Sequence, residues 1–227
     1  MRRVLLTGGT GFIGRNLLDS SFAATHQVLA PSHTELDLLD EDAVRRYFVR
    51  NRIDVVVHAA IKPAHRAARD LSNIMVDNSR MFFNIVRNKE YFGKLIHLGS
   101  GAGYDMRFYS PKLKETDFDR HVPVDELGLY KYMVAKFAES SPWIVDLRIF
   151  GIYGRYEDYS IRFISNMICK ALFDLSLTMN QDRMFDYLDV DDLPQVISYF
   201  TDNEASHPAY NVTPDASVSL LSIARKV

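Results

Sequence analysis

The chain of 227 residues contains a single cysteine, Cys169. One thiol excludes an intrachain disulfide, and with it the small cross-linked scaffolds of secreted proteins. An excess of charge of one sign is also missing: 27 Lys and Arg face 29 Asp and Glu, a formal net charge of −2. Such a balance offers no basic surface to nucleic acid or to an anionic membrane. No apolar run approaches the ~18 residues that cross a bilayer. The first such run, Val4 to Leu6, is too short for a secretory signal and leads directly into glycines. The expectation is a soluble cytoplasmic protein with no nucleic-acid or membrane partner. Repeats, low-complexity segments and a clear linker are lacking too, so the chain reads as one sizeable core with at most a small appendage.

What is present begins at the N-terminus. Val4 to Leu6 has strand length, Gly8, Gly11 and Gly14 sit three apart, and Phe12, Ile13, Leu17 and Leu18 follow at helical spacing. Positions without side chains let a backbone approach a pyrophosphate, and the N–H groups and positive end of a helix favour its charge. Glycines alone signal only a tight turn. Placed between a strand and a helix, they point to a dinucleotide site.

The rest alternates in the same manner. Segments 26–30, 53–60, 94–99 and 143–150 read as strands, and the continuous apolar runs in the last three imply a parallel sheet buried on both faces. Between them, 40–48, about 64–88 and 127–140 read as helices, and 105–126, polar with Pro111 and Pro123, reads as a long functional loop. Further on, 162–173 is expected to be helical, 185–188 strand-like, and Asp191 or Asp192 caps a helix with Pro194 in its first turn. The fold class is therefore α/β: a Rossmann-like doubly wound parallel sheet over residues 1–154. Residues 155–227 form a small C-terminal substrate lobe, minimal or truncated, with some segments free to interleave.

The constellation Tyr132 to Lys136 places a phenol and an ammonium four apart, on one helix face. A nearby cation lowers a tyrosine pKa and makes the hydroxyl a usable acid or base. Ser100 ends a sheet strand, where open α/β sheets bind ligands, and its hydroxyl can polarise a carbonyl. A lone Tyr-x-x-x-Lys arises readily by chance. Tyr130 has Val134 four residues on, so only Tyr132 has a lysine partner. The order of glycine turn, serine-ended strand and tyrosine-lysine helix gives that pair its weight.

These stretches resemble the extended short-chain dehydrogenase/reductases, the NAD-dependent epimerase/dehydratase family acting on nucleotide sugars. The resemblance also takes in Val57-His58-Ala59-Ala60, Asn78 through Asn84, Ser100 four residues before Tyr104, Glu139, Leu147-Arg148 to Tyr153-Gly154, Val190 to Leu193, and Tyr210-Asn211-Val212, in the family's order. It implies a catalytic group of Ser100, Tyr132 and Lys136, supported by Asn78, with lysine also binding the nicotinamide ribose. Asn78 reads equally well as a core amide bonded to backbone. For the cofactor it implies Gly8, Gly11, Phe12, Ile13 and Gly14 at the pyrophosphate, Asp37 and Leu38 near adenine, and Ala59 and Ala60 lining the channel. A loop aspartate and simple packing are the plainer readings of the last two pairs. Met81-Phe82-Phe83 reads as a buried helix face, and the resemblance further implies a homodimer, since such helices often form the interface in the family.

Departures from the family pattern carry information. The acidic residue expected to close the second strand is replaced by Ala30-Pro31-Ser32-His33. Without it NADP is not repelled, and Ser32, His33 and Arg15 become candidate phosphate partners, a lean toward NADP over NAD. Residues 27–38 and the Leu98-Gly99-Ser100 run resemble most the GDP-fucose synthase and deoxysugar-reductase branch. The cysteine and histidine that carry epimerisation beside the carbonyl there correspond to Ala102 and Arg162 here. Simple 4-keto reduction or C4 epimerisation on a nucleotide sugar fits better than epimerisation beside the carbonyl; the alternative reading is a non-catalytic NAD(P)-binding sensor or assembly protein of the same fold. The asparagine expected before Ile152-Tyr153-Gly154 is Gly151, and Arg148, Arg155, Arg162 and Arg183 are candidates for a diphosphate. No metal is expected: Asp189 to Asp192 reads as a helix cap, and His58, His65 and His97 lack ligand spacing, with His58 and His97 reading as core residues.

Overall fold

The computed structural model describes residues 1–65 and 67–227. β1 (Arg3–Thr7) runs into α1 (Phe12–Leu18), and the short α2 (Ser21–Thr25) precedes β2 (Gln27–Leu29). α3 (Glu41–Arg50), β3 (Val55–His58), α4 (Ile74–Val86), β4 (Lys94–Ser100), α5 (Glu126–Glu139) and β5 (Ile144–Ile149) follow. Next come β6 (Ile152–Tyr153), α6 (Phe163–Leu172), β7 (Met184–Phe185), β8 (Leu188–Asp189), α7 (Leu193–Asp202), β9 (Ala209–Val212), β10 (Val218–Ser219) and α8 (Leu220–Ala224).

Six strands form one parallel sheet in the order β2-β1-β3-β4-β5-β9. The unbroken apolar runs explain it, since alternate residues must be buried on opposite faces. Val4, Leu6, Val55, Val57, Ile96 and Leu147 pack with Leu17, Phe22, Leu193 and Ile197 of α1, α2 and α7. Leu5, Val56, Leu95 and Ile144 pack on the other face with Val44, Phe48, Phe82, Ile85, Tyr130 and Val134 of α3, α4 and α5. Each fully buried Leu or Val contributes about 1.5–3 kcal/mol relative to exposure. The order in which strands are added reverses between β1 and β3, with β2 on one side and β3 on the other, which places the ligand crevice of such a sheet at the C-terminal ends of these strands.

The doubly wound sheet is as expected from the sequence, and three details differ. α4 begins at Ile74 instead of near residue 64, because Lys62 is tied to Asp70 (2.6 Å) and Asp77 (2.8 Å) and its backbone to Asn78, while Asn73 adopts a left-handed φ of 52°. Arg66, inside the expected helix, lies outside the described residues. The strand-like 185–188 is split into β7 and β8 by the buried Asp186, whose carboxylate accepts from Tyr109 (3.2 Å), the Lys112 N–H (3.0 Å) and Ser217 (2.5 Å). Residues 193–212 return to the main sheet through α7 and β9, leaving β6 with β8, α6, β7 with β10, and α8 outside it. Asp192 precedes α7 with Pro194 in the first turn, and its side chain makes no cap hydrogen bond.

Candidate active site

A cavity of about 1180 Å³ opens along the C-terminal ends of β1, β3, β4 and β5. Its floor is the turn after β1. Gly8 has φ +74°, and a Cβ there would lie 2.7 Å from the Ala60 N; a Cβ on Gly14 would lie 2.2 Å from the Gly8 carbonyl oxygen. Side chains are thus excluded where α1 must abut the turn. Gly11 is different, since a Cβ there would meet only the Gly8 carbonyl, at 3.3 Å. It borders open cavity, so its missing side chain leaves room for a ligand at the first turn of α1, whose N–H groups have no intrahelical acceptor. This cradle of glycines and free amides fits a dinucleotide pyrophosphate.

Gly8, Gly11, Phe12, Ile13, Gly14, His33, Asp37, Leu38, Ala59, Ala60 and Ser100 all line the cavity. Ser32 does not. Its N–H and hydroxyl both donate to Glu35, at 2.7 and 2.8 Å, so neither is directed at a ligand phosphate. Asn78 also stays out: fully buried, it donates to the Ile74 and Lys62 carbonyls and accepts from the Lys62 N–H at 2.7 Å. It fixes the wall formed by residues 59–62 instead of touching a ligand, in keeping with the core-amide reading.

The largest correction concerns α5. Tyr132 and Lys136 share a face, yet it is the outer one. The Tyr132 hydroxyl donates to Asp119, its ring stacks on Phe118 at 5.4 Å, and Lys136 pairs with Asp119 (3.0 Å) and Glu139 (2.6 Å). The expected effect on the phenol is reversed as well, because accepting its hydrogen bond places the Asp119 carboxylate against it and raises the Tyr132 pKa. The face of α5 toward the cavity carries another pair four apart, Leu127 and Lys131. The sequence does not single out Lys131, because the residue four before it is leucine and not tyrosine.

Lys131 is buried, and its ammonium donates to the Leu98 carbonyl at 2.8 Å and lies 3.5 Å from His97 Nε2. His97 Nδ1 is 2.7 Å from Asp146 Oδ1, and Arg148 donates to the other carboxylate oxygen at 3.0 Å. Burial lowers the Lys131 pKa to about 8, against the opposing pull of Asp146. Burial, then the Lys131 charge, lowers His97; burial lowers His58 further, and Thr7 holds that ring at 2.8 Å. Burial acts to raise the Asp146 pKa, but the His97 bond and charge with Arg148 overcome it and hold the carboxyl low. Both histidines are core residues, as read.

Ser100 accepts from the Ala102 N–H at 3.1 Å, capping the turn that follows β4. At the far end of the cavity stand Tyr153, Glu157, Arg162, Asp186 and Tyr187, and above it Tyr109 from the long loop. Of the four candidate arginines only Arg162 lines the cavity; Arg148 is buried in the Asp146 network, Arg155 pairs with Asp19 and Arg183 with Gln181. Gly151 has a physical reason: at φ +35° a Cβ would lie 2.2 Å from the Asp186 carbonyl oxygen, so asparagine has no room. No cluster able to hold a metal occurs among the described residues, and none of their helices is long and apolar enough to cross a membrane.

The chain is 35% identical over 123 residues to a GDP-L-fucose synthase of Azorhizobium caulinodans, a match covering 52% of this chain and 39% of that protein. It is 28% identical over 106 residues to a GDP-L-colitose synthase of Yersinia pseudotuberculosis, covering 45% and 34%. These matches span well under half of the relatives' length. Among solved structures, a GDP-mannoheptose C4 reductase from Campylobacter jejuni with NADP bound superposes with a TM-score of 0.82 at 19% identity, covering 99% of this chain and 82% of that one. At such identity the likeness speaks for the fold alone. Residues 4–213 match the family described as the NAD dependent epimerase/dehydratase family, and the chain belongs to it.

Proposed function

We propose that the chain is an NAD(P)-dependent oxidoreductase or epimerase acting on a nucleotide-activated sugar by hydride transfer at a sugar carbon, through 4-keto reduction or C4 epimerisation. The observation that carries this reading is the continuity of one cavity, from the glycine turn past Ser100 and Lys131 to Arg162. Bound NAD(P) supplies or takes up the hydride. The turn of Gly8, Gly11 and Gly14 with Phe12 and Ile13 holds its pyrophosphate, Asp37 and Leu38 border the adenine, and Ala59 and Ala60 keep the channel clear. Ser100 holds the reacting sugar oxygen by a hydrogen bond, and Arg162 meets the nucleotide diphosphate. The curated relatives named for GDP-sugar synthesis support this substrate class, and Ala102 in place of a thiol favours chemistry at C4 alone.

A modest preference for NADP belongs to the proposal. It rests on the absence of a carboxylate at the end of β2 and on His33 lining the cavity. It is modest because Glu35 occupies Ser32. Equilibrium binding of both cofactors tests it, and clearly tighter NAD binding overturns it. The split at residue 154 into a cofactor domain and a substrate lobe, with residues 193–212 interleaved back into the main sheet, a homodimer through α4 and α5, where Val76, Phe83 and Met133 are exposed, and action in the reducing cytoplasm, consistent with the free Cys169, complete the proposal.

The test is a panel of nucleotide-4-keto sugars offered with NADPH and NADH, read by nicotinamide absorbance. One observation favours a second reading, a cofactor-binding protein without turnover: Leu127 gives the cavity face of α5 no hydroxyl. Cofactor binding with no absorbance change across the panel and no C4 epimer formed from nucleotide sugars would select it.

A further inference from the structure

We propose that Lys131 itself exchanges the proton with the reacting sugar oxygen, backed by His97 and Asp146, in a site whose helix carries leucine where an acid/base hydroxyl would stand. This rests on the hydride-transfer reading above. The geometry that leads to it is the pairing of Leu127 with Lys131 on the one face of α5 that meets the cavity, while Tyr130 is buried in the core and Tyr132 is engaged outside with Asp119.

An ammonium has three N–H donors. One is held by the Leu98 carbonyl at 2.8 Å and a second points to His97 Nε2 at 3.5 Å; the third has no partner among the described residues, and Lys131 lines the cavity. His97 is oriented in turn: with a proton on Nδ1 shared with Asp146 at 2.7 Å, its Nε2 is left as an acceptor. The groups around Lys131 are His58 on β3, His97 on β4, Asp146 and Arg148 on β5 and Tyr130 on its own helix. Burial outweighs the single carboxylate, so the amine titrates near 8. An acid or base serves best when its pKa lies near the working pH.

The cavity's tyrosines are poorer candidates. Tyr109 and Tyr187 are pushed up to about 12, both chiefly by burial, and Tyr153 is raised by burial and by Asp189. With a bound reduced cofactor to supply hydride to the carbonyl carbon, the π electron pair would move to oxygen. The oxygen forms an O–H bond as an N–H bond of Lys131 breaks, its electron pair remaining on a neutral amine. Water then returns the proton to the amine.

Competitive acetylation of the cofactor-free protein with acetic anhydride across pH, read lysine by lysine by mass spectrometry, tests the ionisation directly. A midpoint for Lys131 near 8, with protection by NADP, is expected; a midpoint like that of exposed lysines overturns the proposal. Lys131→Arg, which keeps the charge and cannot deprotonate, should lower kcat at least about a hundredfold, and reduction by the native protein should fall as pH rises through about 8. Turnover by Lys131→Arg at the native rate and with the native pH profile sinks the assignment while leaving the hydride-transfer reading intact. A native protein silent across the sugar panel, with Lys131 still titrating near 8, instead removes the reaction, and the proton step with it.

Discussion

At the residue scale, two side chains adjacent in sequence have opposite fates. Lys131 is buried against β4, whereas Tyr132 reaches Asp119 at the surface. Phenylalanine at position 132 therefore removes only an outer hydrogen bond. Tyr132→Phe is expected to leave turnover within about twofold and stability within ~0.5 kcal/mol. Steady-state kinetics and urea denaturation check both, and a hundredfold loss of kcat would return the chemistry to the outer face of α5.

The element scale explains why the sequence misled at this helix. Tyr132 with Lys136 and Leu127 with Lys131 have the same spacing, so periodicity cannot choose between them. Five residues turn a helix by about 140°, enough to carry one pair into the cavity and the other into solvent. The burial of Tyr130, Val134 and Ala138 sets that rotation, and this apolar stripe was readable in the sequence once the chemical motif was set aside. The glycine turn and Ser100 were legible because strand-turn-helix order alone positions them. Asn78 was visible as a residue, but its bonds to Lys62 depend on a loop that no local pattern predicts. Strands β4 and β5 carry a prediction of their own. A Cβ on Gly99 would lie 2.3 Å from Asp146 Oδ1, the oxygen paired with His97. Gly99→Ala is expected to lower stability by about 1–3 kcal/mol, measured as a shifted urea midpoint.

At the scale of the whole molecule, the parallel sheet was legible because buried strands leave continuous apolar runs. The return of residues 193–212 to that sheet was not, since β9 is short and half-buried and pairs with β5 across a long stretch of chain. The sheet encloses two histidines that fold neutral. Both have folded pKa values below the ordinary 6.5, so the unfolded chain takes up protons first as the pH falls. Their contribution to stability is complete well above 6.5 and is lost progressively as the pH falls through and below it. Urea midpoints are therefore expected to fall slightly between pH 7 and 6.5 and more steeply as the pH drops toward about 5; an unchanged midpoint over that lower range would contradict the burial of neutral rings.

The central claim is hydride transfer between NAD(P) and a nucleotide sugar within one continuous cavity. The most direct measurement is nicotinamide absorbance while the native protein is offered nucleotide-4-keto sugars with NADPH or NADH. The account predicts consumption of the reduced cofactor that depends on sugar and stops at equal amounts of alcohol formed. Tight cofactor binding with unchanged absorbance across the panel, and with no C4 epimer formed from nucleotide sugars incubated with NAD(P), would contradict it.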